Sequence, residues 1–384
     1  MKKSLFAIAA VTAFAGAAQA QSSVTVYGIL DVGYAGSTTK TPVVSSAATN
    51  NQQIKSNQTG FSGVGSETTS RLGFRGTEDM GGGLSAFFTL EMSMAPTDST
   101  QFTNMTNRQS FVGLKKNGIG QFAIGTQYTP IHLAVGATDP GQQNNMKGSV
   151  IYATTAGQGA GETTTSYTVR LNNSLTLATE NIGGFRAYAI AGQNNVDRTQ
   201  LAPAYTSAAA GGKNNAQAWG IGANYTYKKF YAALAYQSVN TQVDSSIANT
   251  IATAPAGGLK DNQWYGAATY DFGILKAYVN YINRKATAQA DQSVYVSRTA
   301  QQIGVRSFIT PKVEGWASIG NGRYRAFGAS EPTSNFNGWQ LGSNYLLSKR
   351  TNLYAIYGQT NVSSSSNGSS AGGSSYGVGV RHTF

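Results

Sequence analysis

Two arginines four residues apart, Arg71 and Arg75, alternate with Leu72 and Phe74 in the stretch SRLGFRG at residues 70–76. In an extended chain successive side chains point to opposite faces, so both guanidinium groups would share one face and both apolar groups the other. The chemistry of such a face is electrostatic: fixed positive charge attracts anions and needs water around it. Other chemistries find little footing. The chain has no cysteine, and its two histidines, His132 and His382, stand in no metal-ligand spacing, so no metal or cofactor is expected. Gly212-Lys213 is followed by Asn214, whereas a phosphate-binding loop needs Ser or Thr there. His382 offers one imidazole with no nucleophile arranged beside it, so no enzyme activity is expected.

Only 11% of the residues are charged, with 28 Lys and Arg against 16 Asp and Glu. The basic residues are scattered, the densest pairs being Lys115-Lys116, Lys228-Lys229 and Lys349-Arg350 beside turn residues. Nucleic-acid binders concentrate such residues in a patch, so no nucleic-acid partner is expected. Residues 1–20 read as an export signal, with Lys2 and Lys3, an apolar run over 5–14, and the small-residue site Ala18-Gln19-Ala20. The apolar run is far short of the ~20 residues that span a bilayer as a helix. Cleavage after Ala20 would leave 26 basic against 16 acidic residues, a net charge of +10. Residues 21–384 show no linker and are expected to form a single domain.

The elements that must position the arginines are strands. Tyr376, Val378, Val380, His382 and Phe384 alternate with Gly377, Gly379, Arg381 and Thr383. The same period of two recurs through Leu84–Met92, Trp219–Tyr227, Phe230–Tyr236 and Leu275–Tyr281, and many of these faces end in an aromatic residue. Rings with one polar atom are what a lipid interface selects. The connections sort into two alternating lengths. Seven are short, at 79–83, 117–118, 180–184, 228–229, 271–273, 309–312 and 346–350. Eight are long and polar, at about 36–68, 95–105, 129–163, 193–216, 241–261, 285–297, 326–335 and 361–373. Fifteen connections imply sixteen strands, and the alternation of lengths is that of a transmembrane β-barrel with both termini on the short-turn side. At that strand number an aqueous channel remains inside. Leu72 and Phe74 would then face lipid, where an arginine at mid-depth costs ~2–4 kcal/mol, while Arg71 and Arg75 would face the wet lumen.

The mature chain resembles, from end to end, the general trimeric porins of Gram-negative outer membranes, particularly those of beta-proteobacteria. The resemblance is carried by SSVTVYGILDVG at 22–33, SRLGFRGTEDMGGGLSAFFTLE at 70–91, NRQSFVGLKKNGIGQFAIGTQYTP at 107–130, LSKRTNLYAIYG at 347–358 and the terminal YGVGVRHTF. It implies an all-β fold: a 16-stranded antiparallel transmembrane β-barrel with an inward-folded third external loop, three such barrels forming a homotrimer in the outer membrane after export through the periplasm. It also implies contact with outer-membrane lipid and lipopolysaccharide, and passive diffusion of ions and small hydrophilic solutes. By the same resemblance the wall arginines of the pore constriction are Arg71, Arg108 and Arg170, and the wall glutamate is Glu91. Alternation agrees, since Arg170 lies between Val169 and Leu171, and Glu91 between Leu90 and Met92.

The third loop, about 129–163, departs from the cation-preferring relatives, which carry several carboxylates and a Pro-Glu-Phe-Gly turn there. Here Asp139 and Glu162 are the only acids, Lys147 adds a positive charge and the turn is absent. Asp139 is expected to be the acid that faces the arginines, with Glu162 at the point where the loop rejoins the wall. Three arginines against Glu91 and one loop carboxylate make the ring net positive, so weak anion selectivity is expected. Two rivals remain. A substrate-specific channel would need a regular track of aromatic or basic residues, and a structural or adhesive barrel would work through its Ser- and Thr-rich loops.

Overall fold

The computed structural model describes residues 23–42, 53–99, 105–153, 166–198, 212–243, 257–327, 333–364 and 370–384. The expected leader at 1–20 and Glu162 lie outside the described residues. The strand segments are β1 (Ser23–Pro42), β2 (Gln53–Ser62), β3 (Arg71–Gly81), β4 (Leu84–Ser93), β5 (Asn107–Lys116), β6 (Gly120–Tyr128), β7 (Arg170–Thr179), β8 (Phe185–Arg198) and β9 (Gly212–Tyr227). They continue with β10 (Phe230–Val243), β11 (Leu259–Asp271), β12 (Lys276–Ala288), β13 (Tyr295–Thr310), β14 (Val313–Phe327), β15 (Ser334–Leu346), β16 (Thr351–Ser364) and β17 (Ser370–Thr383). Among the described residues one helix, α1 (Pro130–Thr138), lies between β6 and β7.

Neighbouring strands pair antiparallel, and β17 pairs back onto β1, from Ile29↔Thr383 to Lys40↔Gly372, which closes the sheet. The segments fill sixteen positions around the wall because β2 and β3 share one edge of β1. Residues 33–42 of β1 pair with β2 and residues 23–29 with β3. Between them, 63–70 leaves the ladder and is held by Asp31, whose carboxylate accepts from the backbone N–H groups of Glu67 at 2.9 Å and Thr68 at 2.7 Å. The sixteen-stranded closed barrel expected from the connection count is thus observed, with one of its strands interrupted.

Several strands run further than the polar stretches suggested. The loop expected over 36–68 instead carries β1 on to Pro42 and contains β2, and the stretches at 193–216, 241–261 and 361–373 also begin and end as strand. Ladder hydrogen bonds are made by the backbone, so a segment rich in Thr, Asn and Gln can extend a strand without an apolar face.

The two faces of the wall differ as the alternation requires. Val112, Ile124 and Leu175 are successive cross-strand neighbours on β5 to β7, as are Ile303 and Ile319 on β13 and β14, and all five are exposed. On this face aromatic pairs cluster toward the end with the long connections: Trp219 with Tyr236 at 5.2 Å, Trp264 with Tyr281 at 4.8 Å and Trp339 with Tyr357 at 5.4 Å between ring centres. The opposite face is polar, and its Gln237, Gln263, Asn280, Gln302 and Gln340 are buried.

Those buried amides hydrogen-bond to the segment after β6, a stretch read from sequence only as loop. It opens as α1 because Thr129 caps it, accepting from His132 N–H at 3.3 Å, and Pro130 fits the first turn, where an N–H would have no partner. Ile131, Ala134 and Val135 of the helix pack with Ala233, Ala235, Tyr265 and Ile282 of the wall in the main apolar cluster.

Candidate functional site

Four of the five residues singled out by sequence come together on neighbouring strands. Glu91 of β4 receives the Arg108 Nε of β5 at 2.7 Å and lies 3.7 Å from the Arg71 Nη1 of β3. Its other oxygen accepts from the Tyr27 hydroxyl at 3.1 Å. Arg108 Nη2 donates to the Tyr128 hydroxyl at 2.8 Å, and the Arg170 guanidinium lies 5.7 Å from the centre of the Tyr128 ring. Two guanidinium groups therefore meet one carboxylate, with a third, that of Arg170, on the other side of Tyr128 from it in the chain of contacts. Arg71, whose side chain is 18% exposed, is the open member of the set, while the Arg108 and Glu91 side chains are 6% and 5% exposed.

Backbone irregularities aim this cluster. On β5 the outward face carries Val112 and Leu114, so strict alternation would turn Arg108 outward as well. A bulge between Glu91 and Met92 in the β4–β5 pairing, where Glu91 faces Gln109 and Met92 faces Asn107, leaves Arg108 as the extra residue and sends its side chain to Glu91. A second irregularity between Gly125 and Gln127 in the β6–β7 pairing brings Tyr128 opposite Arg170.

Asp139 is not brought to this cluster. It closes the C-terminal end of α1 and accepts from the backbone N–H of Gln143 at 2.7 Å and from Gln302 Nε2 at 3.2 Å. Burial pushes its carboxyl above the usual aspartate range, against the lowering effect of those hydrogen bonds and of the Arg306 charge. Arg306 itself is held bidentately by Glu314, with both contacts at 2.6 Å, and donates to the Pro140 carbonyl at 2.7 Å.

His132, to which no role could be assigned from sequence, sits beside the arginines. Its ring centre is 4.4 Å from that of Tyr128, and its Nδ1 lies 3.2 Å from the Tyr167 hydroxyl. Burial, together with the charges of Arg170, Arg108 and Arg71, holds the imidazole well below its usual pKa, so it is neutral at pH 7. An unfolded chain would protonate His132 near pH 6.5 while the folded one does not, so its contribution to stability is complete above pH 6.5 and is lost as pH falls below it. As pH falls from 6.5 to 5 the protein is expected to lose stability relative to H132Q, with a slope that rises to about 1.4 kcal/mol per pH unit, as read from unfolding midpoints in detergent.

Residues that sequence reasoning missed hold the segment after β6 to the far wall. Gln237 Nε2 donates to the Thr168 carbonyl at 2.9 Å, and Gln263 Oε1 accepts from the Thr168 N–H at 2.7 Å. Gln302 Oε1 accepts from the Val150 N–H at 3.1 Å, and Gln340 Nε2 donates to the carbonyls of Met146 at 2.7 Å and Lys147 at 2.8 Å. Glycines make room for this approach. A Cβ at Gly358 would collide with the Lys147 carbonyl and one at Gly338 with that of Gly148, whose own φ of +118° suits glycine. In sequence these glutamines are indistinguishable from water-facing residues, because alternation reports the face and not the partner.

Charge is distributed unevenly. On the far side of the sheet Arg284 pairs with Asp261 at 2.7 Å, Arg306 with Glu314 at 2.6 Å and Arg381 with Glu67 at 3.4 Å, while Arg298 donates to the Tyr324 hydroxyl and the Val150 carbonyl. In the cluster the one carboxylate of Glu91 is shared between Arg71 and Arg108, with Arg170 beside Tyr128.

The family described as Gram-negative porin matches residues 7–365. Aligned over 100% of both chains, this protein is 29% identical to an outer membrane porin protein of Bordetella pertussis. Among solved structures it is similar to an anion-selective porin from Comamonas acidovorans, with a TM-score of 0.64 and 21% identity over 95% of this chain and 100% of that one. It is also similar to OmpT of Vibrio cholerae in its trimer form, with a TM-score of 0.59 and 15% identity over 94% of this chain and 99% of that one.

Proposed function

Because the chain belongs to the Gram-negative porin family, we propose that Arg71, Arg108 and Arg170 around Glu91 make its passage weakly anion-selective, narrowed by residues 129–152 as an inward-folded third external loop. The chain is an outer-membrane channel for passive diffusion of ions and small hydrophilic solutes. Sixteen strands leave a water-filled bore, and charge on its wall acts where the bore is narrowest. Selectivity rests on one observation: Arg71 and Arg108 share the one Glu91 carboxylate with Arg170 close by, whereas Arg284, Arg306 and Arg381 each have an acid of their own. Excess positive charge in a narrow, low-dielectric passage raises the local anion concentration.

The loop reading is supported by contacts that run from Thr168 at β10 and β11 to Lys147, whose N–H donates to Ser375 of β17 at 2.7 Å. Ties to such separated parts of a closed wall are what a segment crossing its interior would make. Asp139 then fastens the loop to Gln302 and does not face the arginines. Residues 1–20 are read as the export leader, and the assembly as a homotrimer in contact with lipopolysaccharide. The trimer form of OmpT favours the homotrimer, and the selectivity in the Comamonas protein's name favours the anion preference.

Planar-bilayer recording of the purified protein in a tenfold KCl gradient tests the proposal. The expected result is linear, non-saturating current with a reversal potential of anion sign. A cation-sign potential overturns the selectivity. Saturation by one solute would instead indicate a specific channel, and absence of conductance a structural or adhesive barrel.

A further inference from the structure

Just below the arginine cluster the inner face of the wall departs from its polar pattern. Tyr27, Gly73 and Glu91 form one cross-strand row of that face. Two residues along each strand toward the short turns, Thr25, Arg75, Thr89 and Phe111 form the next row. Two residues further, Ser23, Thr77, Phe87 and Gly113 form a third. Side chains two apart on a strand share a face, so Phe87 and Phe111 point inward with Glu91, while the paired Phe88 and Val112 point toward lipid. Apolar surface left against water costs free energy, and a patch of it beside fixed charge marks a contact site.

The two rings form a seat. Their centres are 6.2 Å apart at an interplanar angle of 77°, so one presents its edge where the other presents its face. Phe87 lies against the backbone of Gly113, where a Cβ would stand 2.7 Å from its ring. Beside them opens a cavity of about 440 Å³ whose lining includes Phe87, Arg75, Lys115 and the hydroxyl-bearing Thr25, Thr77 and Thr89. Its two cations differ. Lys115 is paired with Glu180 at 3.1 Å. Arg75 makes no ion pair among the described residues and rests over the Tyr27 ring, 5.3 Å from its centre. An uncompensated guanidinium and two phenylalanine rings therefore stand together one row below Glu91.

We propose that this cavity is a binding site for small aromatic carboxylates, an inference that rests on the channel reading above. The carboxylate meets the Arg75 guanidinium, whose planar fork matches it. The ring extends the edge-to-face arrangement of Phe87 and Phe111, and hydroxyl substituents meet Thr77 and Thr89. Only Thr89 separates Arg75 from Phe111 in their row, two strand spacings or about 10 Å at the backbone, which suits a single ring. An aliphatic acid would use the charge and leave the rings wet. A neutral aromatic would cover the rings and leave the guanidinium to water. The cluster above admits anions by sign, and this site sorts them by shape once they have passed it. A single weak site of this kind leaves the KCl current linear.

The test titrates the KCl current of purified full-length protein in a planar bilayer with benzoate, acetate and benzamide. Benzoate is expected to halve the current at a concentration roughly threefold to tenfold below that of acetate, the worth of one aromatic contact, and benzamide to leave it unaffected. F87T, which changes no charge, is expected to bring benzoate and acetate together, and R75Q to weaken benzoate several-fold. Saturation-transfer NMR in detergent reads the same benzoate contact without requiring conduction. Equal action of benzoate and acetate on the wild-type channel overturns the proposal. So does benzamide acting as strongly as benzoate, an unchanged preference in F87T, or absence of a benzoate contact by NMR. The wild-type reversal potential in KCl alone decides the selectivity, so a channel that keeps its anion sign yet treats benzoate and acetate alike loses this site and not the channel reading.

Discussion

R71Q/R170Q is expected to abolish the anion preference, bringing the reversal potential in a tenfold KCl gradient to about zero once the net charge of the cluster is cancelled. The Arg108–Glu91 ion pair at 2.7 Å is left in place, so the two remaining charges balance. Arg71 carries most of the expected effect because it is the open member of the cluster. It also donates Nε to the Thr69 carbonyl at 2.9 Å and Nη2 to the Thr68 hydroxyl at 2.8 Å, which ties the interrupted strand to the site. Glutamine cannot reproduce both bonds, so R71K/R170K serves as the control: it keeps the charge and should keep the selectivity while losing the fork geometry. If the glutamine variant retained the full reversal potential, selectivity would be set elsewhere on the wall.

The second large effect concerns Glu91. E91Q leaves the Arg108 guanidinium buried beside a neutral amide, and removing one partner of a buried pair costs ~3–5 kcal/mol. The side chains are 6% and 5% exposed, so solvent can replace little of the lost attraction. The Tyr27 hydroxyl loses its charged acceptor at the same time. The expected result is a lower unfolding temperature of the barrel in detergent, together with a stronger anion preference in any channel that folds, since the cluster gains one net positive charge. Both changes have one origin, and D139N provides the contrast. Asp139 lies at the end of α1 among Gln143 and Gln302, so neutralising it should leave selectivity unchanged.

Much of this was legible in the sequence. The period of two in Tyr376 to Phe384 or Trp219 to Tyr227 is a steric property of any extended chain, so it identifies strands and their apolar faces without knowledge of the partner. The alternation of short and long connections likewise counted the sixteen wall positions. Arg71, Arg170 and Glu91 fell on the correct face by the same rule.

Arg108 did not follow that rule. Counting from Val112 and Leu114 turns it toward lipid, and only the bulge opposite Glu91 and Met92 brings it inside. A bulge costs one unpaired residue in the ladder and is chosen by contacts between strands, here an ion pair to β4 and a hydroxyl on β6. Asp139 is the converse case. As one of two acids in its loop it was matched to the arginines by charge alone, whereas the fold ties its segment to Gln302, 163 residues away in sequence. What the chain determined by itself was therefore whatever depends on neighbours along it: strand, face, turn and count. Which polar groups meet across the lumen was decided only in the closed barrel, because hydrogen bonds and ion pairs between distant residues depend on register and bulges that leave no periodic mark.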